Sequence, residues 1–220
     1  MKIALFIPIK LNNRRLPGKN LMFLNGRPLC DYIFNTVASL DPIIEKYVYC
    51  SDECIKSYIP NGIYFLKRDT YLDGYDIKGT EIIKYFLRDV KADIYVLTHV
   101  TQPFTKPQSI KTALCKVINE NYDSAFSVIE IQDYCWYKEK PLNYSIDNLI
   151  ITQNLEPVYM ETGAFYIFKR GVFETFERRI GNRPYKHIVD QFESIDIDTM
   201  DNFIFAEVVA TYLGLGNCKK

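Results

Sequence analysis

Short runs of β-branched and aromatic residues alternate along this chain with stretches whose apolar residues recur at helical spacing, and that alternation restricts the fold more than any other feature. Strand, helix and strand in succession make a βαβ unit, so the repeated alternation predicts an α/β fold with a mostly parallel sheet. Ile3 to Ile9 reads as the first strand; Leu29, Ile33, Phe34 and Val37 then share one face of a helix opened by Pro28, a residue suited to the first helical position. Lys46 to Cys50 and Ile63 to Leu66 read as strands, with helices near Asp52 to Tyr58 and from Thr80 to Val90. Ile94 to Val100 is apolar almost throughout, as a strand covered on both faces should be.

A helix from Gln108 to Glu120 follows, and beyond it Ser124 to Ile131 and Tyr159 to Phe168 read as strands around an irregular polar excursion, 132–158. Arg170 to Arg178 and Thr199 to Leu213 read as helices, with a short strand, Ser194 to Asp198, between them. No repeat or linker breaks the pattern, so residues 1–220 are expected to form a single domain, and a 48% hydrophobic share suffices for its core.

The charge balance excludes some classes of function. Basic and acidic side chains number 27 each, so no global field favours nucleic acid or an anionic membrane, and recognition by charge must be local. Ile3 to Ile9 is too short to cross a bilayer and lacks a cleavage pattern, which predicts a cytoplasmic protein. The six cysteines (Cys30, Cys50, Cys54, Cys115, Cys135 and Cys218) include no CxxC pair, so free thiols are expected rather than a disulfide framework or a zinc site.

Chemistry concentrates in two places. The loop after the first strand carries Lys10, Asn12, Arg14, Arg15, Lys19 and Asn20. Such a loop lies at the carboxyl edge of the sheet, where doubly wound folds bind ligands, and its four cations suit a triphosphate. It matches neither GxxxxGK[ST] nor GxGxxG, and a merely solvated basic loop is the alternative. Near the other end stands Ser194-Ile195-Asp196-Ile197-Asp198-Thr199. On a strand, Asp196 and Asp198 would project together, and paired carboxylates are commonly reconciled by Mg²⁺, which takes one or two of them along with phosphate oxygens and water. The alternative is that Asp198 only caps the following helix. Together the two places describe phosphoryl chemistry: cations hold a triphosphate, a metal polarises it, and an acceptor oxygen displaces pyrophosphate.

Four segments match one family in order: Ile7-Pro8 through Arg15-Leu16-Pro17-Gly18-Lys19-Asn20, Val48-Tyr49-Cys50-Ser51-Asp52, Gly163-Ala164-Phe165-Tyr166-Ile167, and Ser194 to Thr199. The sequence resembles the acylneuraminate (CMP-sialic acid) cytidylyltransferases and the related CMP-Kdo synthetases. The resemblance implies a Rossmann-like three-layer α/β/α nucleotidyltransferase fold, CTP as co-substrate, Mg²⁺ as cofactor, a small polar acceptor, and a homodimer whose excursion 132–158 reaches the partner's site. It makes Lys19 the triphosphate lysine, with Asn20 beside it, and Asp196 and Asp198 the metal ligands. Lys10 stands where the family has arginine. Arg68, Asp76 and Thr80 resemble a nucleotide-contacting segment.

The family's acceptor motif is altered here: His99 replaces a glutamine and Thr105 an arginine. His99, Gln102, Glu161 and Thr162, with the aromatic rings of Tyr134 and Trp136, are the expected acceptor contacts. From Asp123 to Glu161 acids exceed bases by five, and no arginine occurs from Asp89 to Lys169. Carboxylates are commonly read by arginine's fork, so this stretch predicts an acceptor less anionic than an ordinary sialic acid, or one carrying an amine. The leading reading is CMP transfer to a nonulosonic or related sugar acid; a phosphorylated or amino-bearing acceptor, and a nucleotide-binding homologue without turnover, stand as alternatives.

Overall fold

Seven strands form the main sheet of the computed structural model, which describes residues 1–216. Strand β1 (Ile3–Ile9) is followed by a small hairpin, β2 (Phe23–Leu24) and β3 (Arg27–Pro28), whose turn residues Asn25 and Gly26 both take the positive φ that such a two-residue turn requires. Pro28 therefore pairs with Phe23 and precedes helix α1 (Leu29–Ala38) rather than forming its first turn. Strands β4 (Ile44–Cys50) and β5 (Tyr64–Lys67) flank a 3-10 segment, Glu53–Tyr58, that Asp52 caps, where the sequence suggested an α-helix. Then come α2 (Gly79–Asp89), β6 (Ile94–Thr98), α3 (Pro107–Asn119), β7 (Ser124–Ile131), the two-residue strands β8 (Trp136–Tyr137) and β9 (Lys140–Pro141), and β10 (Val158–Lys169). The chain continues through α4 (Arg170–Phe176), β11 (Pro184–Ile188) and α5 (Met200–Tyr212).

The strand order is β11-β7-β10-β6-β1-β4-β5. All neighbours are parallel except that β10 runs against both β6 and β7. Two cores cover the sheet's faces, because alternate residues of each strand point opposite ways. Leu5 and Ile7 meet α1, α3 and α5 on one side, and Phe6 stacks on Phe86 of α2, centroids 4.1 Å apart, on the other. This is the expected three-layer α/β/α arrangement. Every residue of β6 is buried, as its unbroken hydrophobicity foretold.

Two expectations need correction. Ser194 to Asp198 is not a strand: it pairs with no neighbour in the sheet and is held instead by Ile197, whose side chain is buried and whose N–H donates to Thr101 O at 2.9 Å. The real strand of that region is β11, an edge strand beside β7 whose residues are mostly half-exposed, which weakens its hydrophobic signal. Helix α4 stops at Phe176, since Glu177 turns left-handed (φ 49°), so Arg178 lies outside it. Cys30, Cys50, Cys54, Cys115 and Cys135 are free thiols; Cys218 lies outside the described residues.

Candidate active site

The basic loop takes its shape from its own backbone. Gly18 adopts φ 69°, a left-handed conformation that suits glycine, and Lys19–Leu21 closes a 3-10 turn. Asn20, buried, donates its amide to Lys10 O at 2.8 Å, so it braces the loop. Lys19, only 6% exposed, donates to Ile197 O at 2.8 Å and to Asp198 Oδ1 at 2.9 Å; Arg15 pairs with Asp198 Oδ2 at 2.7 Å. The two chemical segments, near opposite ends of the chain, thus meet at one edge of the sheet.

The aspartates are placed by tertiary contacts. Buried Glu193 accepts from the backbone N–H of Lys106 and the Ser109 hydroxyl, both at 2.9 Å, tying this segment to the start of α3. Thr199, not Asp198, caps α5: its hydroxyl accepts from Asn202 N, and the Asn202 side chain reaches back to Thr199 N. The Asp198 carboxylate is therefore left to the cations. Asp196 is open to solvent on one side, yet surrounding protein strips part of its hydration and pushes its carboxyl above the ordinary value; the charge of Asp198 adds to the rise, while a Thr101 hydrogen bond, Lys19 and Arg15 oppose it.

Lys10, Asn12, Arg14 and Arg68 gather around residues 73–75, whereas Thr80 lies apart beside Glu161. Lys10 donates to Gly74 O at 3.1 Å and lies over the Tyr75 ring at 4.3 Å; Arg14 approaches the same ring at 5.8 Å, and Asn12 donates to Asp73 O at 3.4 Å. Buried Arg68 pairs with Asp73, which also accepts from Ser51, while its Nε finds no partner among the described residues. Asp73 joins this network, whereas Asp76 is exposed and outside it. Tyr75 had no signal in the sequence beyond being aromatic.

The acceptor candidates assemble because β10 is reversed. Its beginning lies beside the end of β6, so Gly163 O receives the His99 Nδ1 hydrogen at 2.8 Å. A carbonyl only accepts, which puts the hydrogen on Nδ1 and leaves Nε2 as an acceptor. Burial pushes His99 down to about 4; the Gly163 bond opposes this, and the charges of Arg179 and Lys19 reinforce it. Gly163 holds φ 81°, conformationally difficult for any other residue. Buried Gln102 donates to Thr162 O at 2.6 Å, and the Thr162 hydroxyl donates to Ser127 at 2.8 Å. Gln102 Oε1 is buried without a partner among the described residues.

Glu161 accepts from the Tyr166 hydroxyl at 2.8 Å and lines a cavity of about 480 Å³ with Lys78, Thr80, Arg178, Arg179 and Ile180. Two arginines from outside the arginine-free interval, Arg178 and Arg179, thus border Glu161. Tyr134 and Trp136 do not join this group. Both pack on Tyr144 within the excursion, centroids at 4.8 and 6.2 Å, and Tyr134 donates to Ile150 O.

Opposed cations and carboxylates thus meet at the carboxyl edge of a mostly parallel sheet, the edge where open α/β folds bind ligands. The cytidylyltransferase family profile matches residues 4–200, and the chain belongs to that family. It is 26% identical over 221 residues to an N-acylneuraminate cytidylyltransferase of Streptococcus agalactiae, covering 93% of this chain but 52% of the relative. The chain spans about half the length of that relative. With a CMP-N,N'-diacetyllegionaminic acid synthase of Legionella pneumophila it shares 28% identity over 225 residues, covering 94% of this chain and 95% of the relative. The fold matches a solved CMP:2-keto-3-deoxy-manno-octonic acid synthetase complexed with CTP at TM-score 0.68 and 14% identity, over 97% of this chain and 100% of the other.

Proposed function

We propose that this chain transfers the CMP group of CTP to a hydroxyl of a sugar acid, releasing pyrophosphate. The carrying observation is the convergence of Lys19 and Arg15 on Asp198, beside Asp196, at the sheet edge where β1 and β6 end. Names of relatives support the donor and the class of acceptor: N-acylneuraminate, 3-deoxy-manno-octulosonate and N,N'-diacetyllegionaminate.

The donor set suits Mg²⁺. Among the described residues no group of three or more His, Cys, Asp or Glu side chains is close enough to hold a metal, so an ion here would take two carboxylates and fill its shell from phosphate and water, as magnesium does. Asp196 and Asp198 would hold it, and the elevated Asp196 carboxyl fits a site that gains from a nearby cation. When bound, the ion supplies charge neutralisation at the phosphate undergoing attack. Lys19, Arg15, Lys10 and Arg14 would neutralise the triphosphate, and a metal–triphosphate offers both Lys19 and Asp198 a replacement for each other. The acceptor oxygen bonds to the α-phosphorus as the α–β bridging P–O bond breaks, and the pyrophosphate leaves. His99 Nε2, neutral near pH 7, would orient the attacking hydroxyl by accepting a hydrogen bond from it, and the hydroxyl proton passes to the departing pyrophosphate or to water.

The excursion supports a homodimer. Trp136, Tyr137, Leu142, Ile146, Leu149 and Ile151 are each more than half exposed on it, a cluster of apolar surface suited to a partner. Light scattering on a sizing column tests this. Pyrophosphate release from CTP across an acceptor panel of sugar acids, phosphorylated sugars and amino sugars, with mass spectrometry of the CMP-linked product, tests the reaction. A panel without any CMP-linked product would leave a nucleotide-binding homologue.

A further inference from the structure

We infer that Arg179 is the specificity-determining residue for the acceptor, its guanidinium receiving the acceptor's carboxylate in the cavity beside Tyr166. The inference rests on the sugar-acid reading above. Arg179 is half-buried with its guanidinium carbon 3.5 Å from the centre of the Tyr166 ring and hydrogen-bonds the same side chain, contacts that restrain the fork while it still has further N–H donors to offer a carboxylate. No carboxylate among the described residues lies within ion-pair distance of it. Glu161, on the same cavity wall, is drawn to the Tyr166 hydroxyl. Its negative charge would repel a misplaced carboxylate and so favour one orientation of the acceptor. Arg178 is already engaged, bonded to Asn182 and lying over the Phe176 ring at 4.7 Å.

The segment bearing Arg179 is fixed in advance. Asp123 Oδ2 accepts from the backbone N–H of Asn182 at 2.7 Å and of Arg183 at 3.0 Å, and Ser124 Oγ accepts from Gly181 N at 2.8 Å. A Cβ on Gly181 would lie 2.3 Å from the Asp123 carboxylate, so only glycine permits this close approach. A guanidinium held in place before binding loses less entropy when it engages a ligand. The cavity also adjoins the reacting end of the site: Tyr166 meets the His99 ring edge-on at 6.4 Å, and His99 feels the charges of both Arg179 and Lys19. In a 2-ulosonic acid the carboxylate and the anomeric hydroxyl share one carbon. Anchoring the first therefore positions the second.

The test uses CTP with N-acetylneuraminate and 3-deoxy-manno-octulosonate, each as the free acid and as its methyl ester, and compares the wild type with Arg179→Met and Arg179→Lys. Expected are a preference for the free acids in the wild type, a rise of roughly 10²-fold in acceptor KM in Arg179→Met, as for loss of a charge-assisted bidentate contact, an unchanged KM for CTP, loss of the acid-over-ester preference, and partial rescue by Arg179→Lys. Equal acceptor KM in Arg179→Met, or an undiminished acid preference, overturns the inference while the proposed reaction stands. Calorimetry of the free acids in the presence of an α,β-methylene analogue of CTP separates the other case. Binding that Arg179→Met abolishes, without turnover by any form, sustains the anchor and removes the reaction; absence of both binding and turnover removes both.

Discussion

The two ends of the cleft handle charge in opposite ways. At the donor end the cations and carboxylates neutralise one another: Lys19 and Arg15 share Asp198, and Arg68 pairs with Asp73. At the acceptor end Arg179 rests on a neutral ring, and Glu161 accepts from a tyrosine hydroxyl. In the proposed reaction a metal–triphosphate would bring both signs and exchange partners at the donor end without leaving Lys19 uncompensated. A sugar acid would bring one negative charge, for which the proposed acceptor end holds a cation in readiness.

The largest test of this contrast is Asp196→Ala. Loss of a proposed metal ligand should lower kcat by at least about 10²-fold, read by pyrophosphate release, with little change in thermal stability because Asp196 is exposed and makes no ion pair among the described residues. Full activity at limiting magnesium would break the donor-end assignment. Asp198→Ala is the contrasting variant. It should lose turnover and also cost roughly 3 kcal/mol, near the low end for a stranded buried charge, because Ile197 O still accepts from Lys19. Chemical denaturation distinguishes the two. Lys19→Ala should raise the KM for CTP by about 10-fold to 10²-fold, the equivalent of one or two charge-assisted hydrogen bonds, and leave acceptor KM nearly unchanged.

A smaller effect lies at His99. Its folded pKa of about 4 is below the ordinary 6.5, so its contribution to stability is complete above pH 6.5 and is lost as pH falls towards 4. Linkage gives about 2 kcal/mol at pH 5, a difference of about 5 °C in melting temperature for a chain of this size. His99→Gln should flatten that part of the pH profile; a parallel profile would show that His99 does not titrate there. The smallest expected effect is a gain of about one or two degrees in Asp196→Asn at pH 7. The elevated carboxyl destabilises the fold only once ionised, so the gain should vanish near pH 3, and added magnesium should reverse the ranking by stabilising the wild type.

Much of the fold was legible because its strands are apolar where the sheet is buried. β1 and β6 were found nearly to the residue, and α5 likewise, with Thr199 just ahead of it. β11 was not, since an edge strand needs less apolar surface to form its ladder. Ser194 to Asp198 had strand-like alternation without a strand partner: Ile197 enters the core by itself, its N–H donates to Thr101 O, and Glu193 just ahead of the segment accepts from the Lys106 N–H. Lys19 and the two aspartates were legible as types and spacings. Asp73 and Arg179 were not, because their importance comes from Arg68 and Tyr166, partners that no local pattern names.

The sequence by itself determined the alternation of strands and helices, the cation loop after β1 and the pair of carboxylates near the far end, because hydrophobic periodicity and residue chemistry are local properties. The tertiary structure decided that Lys19 and Asp198 face each other across 179 positions, that the reversed β10 brings Gly163 to His99, and that an arginine from beyond α4 lines a cavity with Glu161. Those decisions follow from strand order and packing, in which residues far apart along the chain settle where their buried surfaces and charges are jointly satisfied.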